Sequence, residues 1–394
     1  MVAQNETSAD LRVLLGAPLI IFVLFLVSSY FLSMILGPAL FFFTPEGTDF
    51  SKLLTSPKEF PILLFMTVGF YIPVTSSYGL AFLFLLGVYI VCFAGAWMSR
   101  ERFHDVVRKG FSRSFTKLFN NNLFAMPIIA SMVFTAVIAI TWFQESQGIL
   151  TGPLPEAEPF PLFFQLSYSP VWEEMSFRIS TIGVFLIAYL FSVGGKKLAK
   201  LSVGQALKIA LFIPLYPDKA KKLLGVKTVS EFGIKGISLG EWVMIGITSV
   251  IFGWLHVGHP WGLGKFTTAT LQGLVLGLVY LLYGVQAPIL LHWFFNYYSA
   301  GIPLLATDSY PVILLVYVSI FLVTLIVGVF GWAMFAGLVG VRLYRRWKKT
   351  VSSLPPSTQP PPSPTIKFCR QCSRVLEEDM KFCPYCGKAF EEEA

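Results

Sequence analysis

The chain has 394 residues, 55% of them hydrophobic and 13% charged, with 38 phenylalanines and a formal net charge of +8. Soluble domains carry about 25% charged residues, so a soluble fold is excluded, and a mean hydropathy of +0.68 places the chain among polytopic membrane proteins. The positive charge is no sign of a nucleic-acid partner, because the basic residues stand mainly in loops between apolar segments, where the positive-inside rule puts them.

Residues 1–12 lack the basic region, short apolar core and cleavage site of a signal peptide, so the apolar run that follows reads as a retained span. A crossing needs about 20 apolar residues. In chain order the predicted spans are 13–42, 77–97, 123–143, 168–192, 241–258, 266–283, 287–305 and 311–341. The expected fold class is therefore all-α and polytopic, with about eight transmembrane helices. The first span is long, and Gly37 and Pro38 mark where it would kink. The apolar patch 61–72 is too short to cross and reads as an interfacial segment. Bases crowd the loops 98–122 and 193–240 and the stretch from Arg342 to Lys349, whereas 144–160 holds Glu145, Glu156 and Glu158 and no base. Eight spans with both termini cytoplasmic satisfy this pattern and give a multi-pass protein of the cell membrane.

Polar residues within the later spans are few. Glu173 and Glu174 interrupt the apolar run PVWEEMSFRISTIGVF, with Arg178 one turn on. A carboxylate at bilayer depth costs roughly 2 to 4 kcal/mol unless paired or wetted. Glu174 and Arg178 share a helix face and can pair, which leaves Glu173 about 100° away for another role. Ser169 and Pro170 read as a helix cap and a first-turn proline, putting the glutamates in the opening turns. Phe252 and His256 are four apart, as are His292 and Asn296. His259 reads as an interfacial histidine, His104 carries no signal, and Cys92 is a small apolar residue of a span.

After the last span, SSLPPSTQPPPSPT is an extended spacer. Beyond it KFCRQC and KFCPYC repeat, placing Cys369, Cys372, Cys383 and Cys386 in two CxxC pairs. Two such knuckles can complete a tetrahedron around zinc. A tail this short folds only if the metal supplies its stability, and a cytoplasmic location disfavours disulfides. Four cysteines leave no ligand vacancy, so the zinc is structural. The expected domains are a multi-span transmembrane domain at 1–348 with its motif core at 160–300, a Pro/Ser-rich linker at 349–365, and a zinc ribbon at 366–394.

EExxxR at 173–178, FxxxH at 252–256 and HxxxN at 292–296, in that order on separate spans, resemble the CPBP family of intramembrane proteases, which includes type II CAAX prenyl endopeptidases and Abi-like proteins. The resemblance implies an endopeptidase acting on membrane-associated protein substrates. It makes Glu173 the general base, with His256 positioning the water, and sets His292 and Asn296 at the oxyanion; Glu174 and Arg178 would hold the first turn. An apolar setting suits a glutamate base, and an imidazole and an amide are donors suited to developing negative charge. The HExxH arrangement of zincins and a GxSxG elbow are both absent. Glutamate chemistry without a required metal is the expectation, with the catalytic metal left open. The alternative is a non-catalytic membrane scaffold that uses the ribbon to dock a protein partner; a transporter ranks third, because these polar groups cluster at one site.

With both termini inside, Glu173 and His256 share the outer half, but His292 falls about 8 Å from the inner end of its span against about 24 Å for His256. Either the span ends differ by several residues or the connection before 287 is drawn into the bundle. Prenylated C-terminal substrates are cytosolic, so this orientation implies an inverted topology or a different substrate.

Overall fold

The computed structural model describes residues 2–56, 61–66, 68–71, 75–110, 115–152, 158–195, 201–258, 262–305, 311–352, 366–369, 371–377 and 382–389. Of the expected linker, residues 349–352 belong to the last helix and 353–365 lie outside the described residues, as does His259. The chain divides into two compact units, Met1–Ala333 and Met334–Ala394.

Eight helices occupy the eight predicted positions: α1 (Val2–Phe43), α2 (Tyr78–Trp97), α3 (Asn122–Ser146), α4 (Pro159–Val193), α5 (Leu239–Leu255), α6 (Gly264–Tyr283), α7 (286–305) and α8 (Pro311–Ser352). Side-chain caps start several of them: Ser77, Asn121 and Ser238 accept from the backbone N–H groups of Leu80, Phe124 and Glu241. Six helices among the described residues are long and apolar enough to cross a membrane, or seven if the pair Val229–Gly236 and Leu239–Leu255, bent by 75°, counts as one span. The expected count was eight. α5, at 17 residues, counts only with its bent partner, and α7 falls short because Gln286, His292 and Asn296 dilute its apolar run.

Two elements depart from the sequence reading. First, α4 begins at Pro159, so Ser169 and Pro170 are interior residues and the glutamates stand far from the opening turns. The stretch PFPLFFQLSY before Ser169 is itself helix that buries Leu162, Phe163, Phe164 and Leu166, and a proline at its first position starts it. Second, the patch 61–72 contains a hairpin: β1 (Pro61–Leu64) pairs antiparallel with β2 (Val68–Tyr71).

The connection from α6 to α7 is drawn into the protein. Gly284, at φ 97°, makes the turn; Val285 N–H donates to the Leu215 carbonyl at 2.9 Å, and every residue from Gln286 to Trp293 is buried. His292 is therefore carried inward from a connection that is itself buried. A buried ion pair holds the preceding loop to the head of α5: Lys221 Nζ lies 2.8 Å from Glu241 Oε1, and Glu241 also closes the Ser238 capping box. The sequence had placed Lys221 among the loop charges.

α5 and α6 pack closely because glycine stands at their contact. A Cβ on Gly253 would lie 2.1 Å from Thr270 Oγ1 and 2.7 Å from the Phe266 carbonyl, both on α6. Small residues at such crossings let two backbones approach. Gly253→Val should force the helices apart at a cost of about 1–3 kcal/mol and displace the neighbouring His256. Gly246→Val, on the same helix with nothing within 4 Å, should leave the thermal unfolding midpoint in detergent unchanged, and comparing the two variants checks the packing.

Candidate active site

The site is built from α4, α5 and α7, and two of these, α4 and α7, widen to π-helix at the motif. Met175–Gly183 follows the two glutamates and contains Arg178, and Phe294–Gly301 follows His292 and contains Asn296. In the first, Ser180 Oγ and Thr181 Oγ1 both donate to the Ser176 carbonyl, at 2.6 and 2.8 Å. Single-turn π-bulges recur at functional sites because they rotate side chains that an α-helix would keep in register.

At the centre lies a fully buried charge pair. Arg178 Nε is 3.1 Å from Glu174 Oε2 and its Nη1 3.2 Å from Oε1, and both side chains are completely enclosed. Arg178 Nη2 donates to the Gly273 carbonyl of α6 at 3.0 Å, and its guanidinium lies 5.5 and 5.3 Å from the Phe177 and Phe252 ring centroids. Glu174 Oε1 also faces His292 Nδ1 at 2.9 Å. A carboxylate can only accept here, so Nδ1 carries a proton. Asn296 Nδ2 lies 3.2 Å from His292 Nε2 and donates to Ser169 Oγ at 2.8 Å. The chain Arg178–Glu174–His292–Asn296–Ser169 thus ties α4 to α7.

Glu173 stands outside that chain. Its side chain is 25% exposed, Oε2 lies 3.8 Å from His292 Nε2, and Oε2 has no hydrogen-bond partner among the described residues. His256 caps the C-terminal end of α5. Its Nδ1 donates to the Phe252 carbonyl at 2.7 Å, which in the neutral ring leaves Nε2 as the lone-pair nitrogen. The Phe252 ring lies 4.5 Å from the His256 centroid and 5.8 Å from that of His292, so one phenylalanine separates the two imidazoles. All six predicted residues meet in one neighbourhood. Sequence reasoning missed Ser169 as the Asn296 partner and Gly273 as the Arg178 acceptor. It also missed Lys265, half-buried at the start of α6 and within electrostatic reach of Glu173 and His256. Lys265 had a legible signal: it is the one Lys or Arg between Lys235 and Arg342.

The second unit brings its four cysteines together. Their sulfurs all lie within 4.8 Å of one another, with Cys369–Cys386 and Cys372–Cys383 both at 3.6 Å. A tetrahedron with metal–sulfur bonds of about 2.3 Å has edges of about 3.8 Å, whereas a disulfide bond is about 2.05 Å long. The two CxxC turns are copies: Cys369 N–H donates to the Arg374 carbonyl and Cys383 N–H to the Lys388 carbonyl, each at 2.9 Å. Backbone N–H groups of Gln371 and Cys372 aimed at the Cys369 sulfur lower its pKa to about 6, which favours the thiolate a metal needs. The arrangement fits a zinc ribbon.

Residues 155–298 match the family described as type II CAAX prenyl endopeptidase, Rce1-like. That segment contains Glu173, Glu174, Arg178, His256, His292 and Asn296. No curated protein and no solved structure matches the chain.

Arg178→Met strands Glu174 as a buried charge and should cost about 3–5 kcal/mol, whereas adding Glu174→Gln removes the orphaned charge and should recover much of that. Denaturant unfolding of the wild type, the single and the double variant checks it. The purified chain should carry one tightly bound metal ion per molecule, measured by elemental analysis. Cys383→Ser should lose it.

Proposed function

We propose that the chain is an intramembrane endopeptidase that hydrolyses peptide bonds of membrane-associated proteins with a water activated by Glu173. One observation carries the reading: two adjacent glutamates have opposite fates. Glu174 is fully enclosed and held by Arg178 at 3.1 Å and His292 at 2.9 Å, whereas Glu173 is 25% exposed and its Oε2 lies 3.8 Å from His292 Nε2, beyond hydrogen-bond distance. A structural ion pair needs only one of them. The Rce1-like match of the same segment supports the reaction class.

The chemistry follows from these positions. Glu173 takes a proton from water as the oxygen attacks the scissile carbonyl carbon, and the tetrahedral intermediate forms. Glu173 then returns that proton to the departing amine as the carbon–nitrogen bond breaks. His256 Nε2, with its partner nitrogen held by the Phe252 carbonyl, accepts a hydrogen bond from the water and fixes its orientation. His292 and Asn296 serve the oxyanion. In the resting arrangement His292 Nε2 and the Asn296 amide face each other and Asn296 holds Ser169, so both donors exchange these contacts for the substrate oxygen. An imidazolium at 292 has a donor on each nitrogen, one for Glu174 and one for the oxyanion. Glu174 and Arg178 position His292 and touch no reacting atom.

The ribbon metal is zinc in this reading, a structural ion that stabilises the tail and takes no part in hydrolysis. A tail of basic stem, proline-rich spacer and ribbon suits a docking element for a protein partner. By the positive-inside rule both termini are cytoplasmic.

New peptide N-termini in host membranes should appear with the wild type and be absent with Glu173→Gln, in which the carboxamide cannot take the proton. Identical termini from both samples, with the variant inserted and folded, would overturn the protease reading in favour of the scaffold.

A further inference from the structure

The hairpin β1–β2 is docked by its tip onto the π-helical stretch beside the site. Phe65 and Met66 open the turn with φ of 50° and 67°, a region that bulky side chains rarely adopt. The two amides so exposed are captured by the catalytic helix: Phe65 N–H donates to Ser180 Oγ and Met66 N–H to Ser176 Oγ, both at 3.0 Å. Met66 packs on Phe177, Phe252 and Ala269. The Phe252 ring in turn touches both catalytic imidazoles. The strands therefore run tip-first toward the reacting groups, one side-chain layer away.

β2 is left open. Its four residues, Val68, Gly69, Phe70 and Tyr71, are all exposed, none is proline, and among the described residues it pairs only with β1. β1 starts with Pro61, which cannot donate, and lies against α4. An apolar ribbon with an open edge suits neither phase by itself. In water Val68, Phe70 and Tyr71 are exposed apolar surface, and in lipid the edge amides and carbonyls go unsatisfied. A partner that offers both main-chain hydrogen bonds and apolar side chains resolves both at once.

We propose that β2 is the substrate-binding strand, and that the extended chain flanking the scissile bond adds to its edge as a third strand. The inference rests on the protease reading and names what that site grips: backbone in the β conformation with apolar side chains, as supplied by a membrane segment locally unwound from helix. Pairing along β2 runs that chain alongside the hairpin to its tip, where Met66 packs beside Phe252. Affinity then comes from main-chain bonds, with side-chain preference confined to alternate positions.

The test uses synthetic peptides spanning a cleavage site mapped by the N-terminal comparison above, each with one N-methylated backbone amide, cleaved by the full-length protein in detergent. Adjacent amides of a strand point to opposite sides. Methylation at alternate positions on one side of the scissile bond should raise KM about fivefold for each lost bond, while the positions between are tolerated. Gly69→Pro and Phe70→Pro give the matching result from the enzyme: one of the two removes an outward donor and should raise KM, with the unfolding midpoint preserved. A methylation profile without period two, or one that moves only kcat, overturns the strand-addition proposal while leaving the protease reading intact. Failure of the wild type to cleave anything that Glu173→Gln does not would overturn both.

Discussion

The buried pair of Glu174 and Arg178 is the constraint on which the site depends. An isolated charge of either sign in an apolar helix bundle costs several kcal/mol even after relaxation, so each must be met by the other and by hydrogen bonds. The pair fixes more than itself. Arg178 can be satisfied only with the Gly273 carbonyl close by, which demands α6 at that distance. Glu174 Oε1, which already accepts from Arg178, also takes His292 Nδ1, and His292 reaches it on a helix that arrives from a buried connection. Three helices distant in sequence are thus set against one another by the requirement that no buried charge go unmatched. The geometry of the site follows from that requirement.

The two π-helical stretches can be understood on the same basis. Glu174 and Arg178, four residues apart, already meet in an α-helix. The widened stretch beyond them carries Ser176 and Ser180, whose hydroxyls accept the Met66 and Phe65 amides of the hairpin tip. In α7 the widening after His292 turns Asn296 toward both the histidine and Ser169. Side-chain hydroxyls add bonds within the widened turns, Ser180 and Thr181 on the Ser176 carbonyl in one helix and Ser299 Oγ on the Phe295 carbonyl in the other.

Much of this was legible in the sequence, because the signals there were scarce polar residues in an apolar background. A span with one Glu-Glu-x-x-x-Arg run has few ways to hide it, and the four-residue spacings of the three motifs translate directly into shared helix faces. The eight apolar runs appear at the expected places, and the cysteine spacing specified the knuckles. Three things were not legible. The start of α4 was obscured because Ser169 and Pro170 carry the local signature of a helix start, whereas tertiary burial of the preceding apolar residues continues the helix through them. The depth of His292 showed in the sequence only as a conflict with two ways out, one of them an inward-drawn connection, and the turn at Gly284 that decides between them is a tertiary event that no periodicity reports. Lys221 read as a loop charge because its partner Glu241 is twenty residues away and meets it only after folding.

The hairpin shows why an apolar patch too short to span was the hardest segment to read. At ten or so residues it lacks the length for a helix across a bilayer, and hydropathy says only that it avoids water. What defines it is the pair of left-handed residues, Phe65 and Met66, an unfavourable choice that an isolated hairpin would replace with glycine or asparagine. The surrounding structure sustains that backbone because Ser176 and Ser180 take the amides it presents and Phe252 receives Met66. Strain of this kind persists where the structure around it over-determines the conformation, and it gathers at ligand clamps. The same phenylalanine neighbours His256 and His292, so one ring joins the hairpin tip and the two imidazoles in a single packed cluster.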